Sequence, residues 1–190
     1  MIRRYDRQIA ETALGILPLA ETNRRLGAYW LSLWEGNDLP RRSAFSPAEV
    51  RDILPGIMIQ EVKPGVSMTV RLCGTAINQA FGRDLTGCDL IALSPPEVRA
   101  ERLARNSRIA EGAIGFAVRR GETRVGKPAE SQEIHLPFRD VTEDGARLIL
   151  LHSTWRSRDA EPGVPEVENV LRLAEEFQIV PLWSDPPAAA

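Results

Sequence analysis

The chain has 190 residues, 43% hydrophobic and 26% charged, with a net charge of −2. That length suits one domain with terminal extensions, and its core needs no disulfide or metal staple. The slightly acidic balance supplies no basic field and so argues against nucleic acid as a partner. No run approaches the roughly 20 apolar residues of a membrane span.

The two cysteines, Cys73 and Cys88, sit in no Cys/His grouping with metal-ligand spacing. The N-terminus carries positive charge, but no apolar core or cleavage site of a secretory signal follows it. The expectation is a soluble, cytoplasmic protein with reduced thiols.

In chain order, residues 7–17 form a weak helical stretch, weakened by Gly15 and closed by Pro18. Residues 22–35 read as an amphipathic helix, with Leu26, Tyr29, Trp30, Leu33 and Trp34 at three- and four-residue steps. Thr22 or Asn23 is the expected cap, and Gly36 the expected C-terminal glycine. A turn-rich link follows. Ser46-Pro47-Ala48-Glu49 then starts a short helix with Ser46 as N-cap and Pro47 first inside.

Residues 57–62 and 67–73 are strands joined by the turn Lys63-Pro64-Gly65. Residues 75–81 form a short helix and 82–87 a turn. Residues 95–112 form a longer helix, capped by Ser94. Three strands follow at 114–120, 131–139 and 147–155, the last pair joined at Glu143-Asp144-Gly145. Residues 165–177 read as a closing amphipathic helix, and 185–190 as a small-residue tail. Short turns between neighbouring strands demand antiparallel pairing. The expected fold is therefore α+β: a five-stranded antiparallel sheet with helices on one face and flanking N- and C-terminal helices.

Two segments together resemble a bacterial family of stand-alone PAS-type domains found mainly in alphaproteobacteria. The first contains Tyr29-Trp30-Leu31-Ser32-Leu33-Trp34, Leu39-Pro40-Arg41-Arg42-Ser43, Phe45-Ser46-Pro47 and Ile53-Leu54-Pro55. The second contains Gly74-Thr75-Ala76-Ile77 and Phe81-Gly82-Arg83-Asp84-Leu85-Thr86-Gly87. The resemblance spans residues 26–155, and Asn78, Phe81-Gly82 and Gly87 match the general PAS pattern. It implies three segments: an extension over 1–21, a PAS-like domain over 22–156, and a helix with a tail over 157–190. It also implies sensing of a small molecule, holding of a cofactor, or binding of another signalling protein. Fold does not choose among these.

Phe81, Phe116, His152 and Trp155 are the candidate ligand-pocket residues, being bulky groups on or beside the core strands. His152 follows Leu148 and Leu150 on alternate positions. It points into a cavity or, in the plainer reading, is a buried and satisfied polar side chain. His135 alternates away from Ile134, Leu136 and Phe138, on the other face of its strand.

Asn78, Gly82, Arg83, Asp84 and Gly87 form a structural turn. Within it Arg83 and Asp84 pair, or Asp84 accepts backbone N–H bonds. Arg99, Arg102, Arg105 and Arg108 spiral round one helix and read as a solvated face, with an acidic partner or a phosphate as the other possibility. Arg119, Arg120, Arg124 and Lys127 form a second basic cluster beside a loop. Tyr29, Trp30 and Trp34 either pack on the outside of the sheet or form a homodimer interface.

No motif for an enzyme, a metal or a required cofactor appears. The sequence leaves the ligand unnamed. The expected function is a non-enzymatic, stand-alone sensory domain that binds a small ligand and relays its state through self-association or a separate signalling protein. The other readings are a ligand-free interaction adaptor and an enzyme with an unrecognised site. After Trp155 the chain holds one expected helix and a tail, so the signal is expected to leave through contacts with another chain.

Overall fold

A computed structural model describes residues 4–123, 128–157, 174 and 176–183. The chain opens with two helices, α1 (Arg7–Ile16) and α2 (Glu21–Ser32). Asp6 caps α1 by accepting the Gln8 N–H at 2.8 Å. Gly15 does not break α1, because it lies on the open side with no atom near a would-be Cβ. Ala10 and Ala13 form the buried side of α1, with Leu17 and Leu19 just beyond it. Neither expected residue caps α2. Its N-cap is Ala20, and Asn23 turns inward instead. The helix stops at Ser32, ahead of Gly36, which takes a left-handed φ of 63° in the following turn.

The strands are β1 (Ile57–Lys63), β2 (Ser67–Cys73), β3 (Ala113–Glu122), β4 (Pro128–Val141), β5 (Arg147–Ser157) and β6 (Glu176–Pro181). All pair antiparallel, in the order β2-β1-β5-β4-β3-β6. Between β2 and β3 lie α3 (Thr75–Phe81), α4 (Leu90–Leu93) and α5 (Pro96–Ala110). The β1–β2 turn is tight: Val66 N–H donates to Lys63 C=O at 2.9 Å, and Gly65 supplies a φ of 73°. Ser46 leads into a 3-10 turn without a side-chain cap bond, and α5 begins at Pro96 with Pro95, not Ser94, as its cap.

Two expectations are corrected. The sheet has six strands rather than five. Phe177, expected to end a helix, lies in β6 beside Ala117. Phe177 and Ile179 alternate with Gln178 and Val180, and this two-residue period governs the strand. The rest of the expected closing helix, and the tail, lie outside the described residues. The sheet is also covered on both faces. On one face α1 through Ala10 and Ala13, α2 through Leu26 and Trp30, and Trp34 just beyond α2 form one core cluster with Ile57, Phe116, Ile134 and Leu150. On the other, α3, α4 and α5 pack through Ile77, Leu90 and Ile109 onto Met58, Met68, Val70 and Leu151.

The close seat of α5 on the sheet depends on Gly115. A Cβ there would lie 2.5 Å from Ile109 Cδ1. No described helix is long and apolar enough to cross a membrane.

Candidate functional site

The sequence motifs have structural duties. Gly74 lies under the chain at Leu54-Pro55: a Cβ on it would fall 2.3 Å from Pro55 O and 2.5 Å from Leu54 O. Its N–H donates to Ile57 C=O at 2.7 Å. Gly82 ends α3 with a φ of 66°. Asn78 then organises the turn, accepting the Leu85 N–H at 3.1 Å and donating to Asp84 Oδ1 at 3.0 Å.

Asp84 also accepts the Thr86 N–H at 2.9 Å. This bond, helped by Asn78, holds its carboxyl below the usual range. The expected Arg83–Asp84 pair does not form; Arg83 reaches toward Cys88 Sγ instead. Gly87 and Cys88 dock on β2, exchanging backbone bonds with Val70 at 2.8 and 3.0 Å. The Leu39-Pro40-Arg41-Arg42 segment is tied to the end of β4. Pro40 C=O accepts from Arg139 N–H, and Arg42 N–H donates to Asp140.

Trp30 and Trp34 are not surface residues. They are 0% and 5% exposed and meet edge to face, with ring centroids 5.3 Å apart. Trp30 Nε1 donates to Pro137 C=O at 3.0 Å. The second face of the sheet is the large receiving surface that two tryptophans need. Tyr29 is half-buried; its hydroxyl accepts the Ser46 N–H at 2.9 Å.

Between α5 and the sheet lies a cavity of about 50 Å³. Of the four candidate pocket residues, Phe81 and Trp155 line it and Phe116 and His152 do not. The pairing register shows why. Phe116, Ile134, His152 and Ile57 form one cross-strand row, which faces α1 and α2. Gly115, His135, Leu151 and Met58 form the next row, facing α5. Alternation separates the rows, but with both faces buried it cannot say which row meets the cavity.

His152 is satisfied by Asn23: its Nδ1 donates to Asn23 Oδ1 at 2.6 Å. Asn23 in turn donates to the Gln132 carbonyl at 3.2 Å, which ties α2 to β4 and β5. Burial drives the His152 pKa down to about 4, so the ring is neutral. Burial likewise pushes the Cys73 thiol up to about 12, so it carries no thiolate at neutral pH.

The sequence reading misassigned the polar wall of the cavity. Arg102 and Arg105, read as part of a solvated spiral, turn inward with Asn106 and Ile109. Spacing of three, four and seven residues from Arg102 puts all four on one side of α5, and Ile109 was the clue to which side. Arg102 is 6% exposed. Burial, reinforced by the nearby Arg119 cation, lowers its pKa to about 10.

Arg119, assigned to a loop cluster, holds Glu133 with two bonds, at 2.8 and 3.1 Å. His135 Nε2 lies 3.3 Å from the same carboxylate. Burial alone would raise the Glu133 pKa, but Arg119 and His135 outweigh it and hold the group ionised, below the usual range. Arg124 and Lys127 lie outside the described residues.

The cavity is rich in unanswered polar atoms. Gln60 Oε1, Arg105 Nη1, Asn106 Oδ1, His135 Nδ1, Ser153 Oγ and Trp155 Nε1 are buried with no hydrogen-bond partner among the described residues. All belong to residues that line it. Trp34 Nε1 and Ser131 Oγ, also without partners, lie outside the lining. Buried polar atoms are normally paired, so such a cluster marks a place where something else supplies the partners. No group of three His, Cys, Asp or Glu side chains that could hold a metal comes together among the described residues.

No curated protein matches the chain. A family model described as PAS domain matches residues 19–152. That span takes in α2, β1 to β4 and α3 to α5 whole, with the motif turn and the first part of β5. With an antiparallel sheet whose helices enclose a polar cavity, the chain belongs to the PAS domain family, whose members serve sensing and signalling.

Proposed function

We propose that this PAS domain binds a small polar ligand in the cavity between α5 and the sheet. The bound state is then relayed by self-association or by a separate signalling protein. The observation that supports the reading is the gathering of unpartnered, buried polar atoms around one cavity. A ligand answering them favours the arrangement of α5 in which they converge, and so shifts the population that a partner meets. The tryptophan and Leu-Pro-Arg-Arg segments support placement in the bacterial stand-alone group. Self-association does not draw on Trp30 or Trp34, because both are core residues.

The small size of the cavity favours a second reading, a ligand-free interaction adaptor, with a few waters answering the polar atoms. Native and denatured masses of freshly purified protein decide between the two. A native mass above a whole number of chains by a fixed amount means a retained ligand. A mass equal to bare chains, with no added small molecule raising stability, means the adaptor. The same measurement counts the chains in the assembly.

A further inference from the structure

We infer that the ligand is a small hydroxycarboxylate: an oxyanion a few non-hydrogen atoms in size that also carries a neutral hydroxyl. This deepens the ligand-binding reading and rests on it.

The inference follows from which atoms lack partners. Of the six, Arg105 Nη1 and Trp155 Nε1 can only donate, Ser153 Oγ can donate as well, Gln60 Oε1 and Asn106 Oδ1 accept, and the role of His135 Nδ1 follows its tautomer. Arginines 102, 105 and 119 line the same cavity, and Glu133 is the only carboxylate among the described lining residues. Glu133 is engaged by Arg119 through both its oxygens. Arg105 makes an ion pair with the exposed Glu101 through Nη2, while its Nη1 is buried with no partner among the described residues. Its guanidinium is also held in place over the Phe177 ring, 4.6 Å from the centroid. Such a set of donors recognises an oxyanion, and a planar guanidinium suits a carboxylate.

Asn106 adds the second half. Its Nδ2 donates to the Arg102 carbonyl at 2.9 Å, and only the amide nitrogen can do that. The amide is thereby oriented, and Oδ1 is left as an acceptor, 94% of the residue being buried. An acceptor there calls for a donor on the ligand. An ammonium would place a further cation beside three guanidiniums, so the donor is a hydroxyl. The about 50 Å³ of space limits the ligand to a short chain.

The test titrates the full chain with glycolate and lactate, and with acetate, propionate, inorganic phosphate, alanine and glycerol as comparators. Binding is read by calorimetry and by the shift in melting temperature. Glycolate or lactate is expected to bind about tenfold or more tightly than its counterpart lacking the hydroxyl. Asn106→Asp keeps the size of the side chain but sets a negative charge at the site, and is expected to abolish binding. Arg105→Gln is expected to weaken it by about tenfold or more. Circular dichroism and urea unfolding establish that each variant is folded.

Preference for glycerol or alanine, equal binding of phosphate, or a neutral or cationic molecule retained in the native mass overturns the hydroxycarboxylate. Each of those outcomes leaves the ligand-binding reading standing. Bare chains by native mass with no response to any probe overturns both.

Discussion

Acidification should weaken this protein through His152, and the effect can be worked out from the geometry. The imidazole is 3% exposed, its Nδ1–H is committed to Asn23, and its Nε2 faces the Gly56 backbone, where a Cβ would come within 2.7 Å. Burial is what depresses its pKa, from 6.5 to about 4. The unfolded chain therefore takes up this proton first as the pH falls. The stability that His152 contributes is complete above its ordinary pKa and is lost progressively between 6.5 and about 4. The full loss is about 3 kcal/mol, of which about 2 kcal/mol is gone by about pH 5.

Urea unfolding of the native protein and of His152→Asn across this range isolates the term. Asparagine keeps a donor where Nδ1 stood and cannot titrate. The stability difference between the two proteins should shrink by about 2 kcal/mol from about pH 7.5 to about pH 5. Glu133, held ionised by Arg119, loses its contribution only below the ordinary carboxylate range, and does so in both proteins alike. Parallel pH curves for the two proteins would refute the reasoning.

Trp30→Phe should lower stability by about 1–3 kcal/mol without changing the number of chains in the assembly, because it leaves the buried Pro137 carbonyl without its donor; denaturant unfolding and light scattering read the two effects separately. Gly74→Ala should destabilise by about 3 kcal/mol or more, since the added methyl meets backbone oxygens that cannot rotate away. Melting temperature shows this, and a tolerated alanine would sink the close-approach account of the motif glycine.

Much of the architecture follows from the sequence alone. An apolar run marks β1, two-residue alternation marks β2, β4 and β5, and the glycine turns at Gly65 and Gly145 join them in pairs. The pattern from Gly74 to Gly87 marks α3 and its turn because each residue there meets a local backbone demand. Asn78 bridges seven residues to Leu85, and Gly82 adopts a left-handed φ. His135 is separable from Ile134 and Leu136 by alternation alone.

Tertiary structure decided what local pattern could not. The sheet is buried on both faces, so a periodic strand reveals two rows but not which row meets which layer. Phe116 and His152 thus went to the α1–α2 side, and His135 and Ser153 to the cavity. The two tryptophans look like surplus apolar surface until the second face is there to receive them. The arginines of α5 and β3 look solvated because charge normally stays in water. Only the packing of α5 over Gly115, against β4 and β5, carries Arg102 and Arg105 toward the Arg119–Glu133 pair. Burial of a cation is set by long-range contacts that no short stretch of sequence encodes.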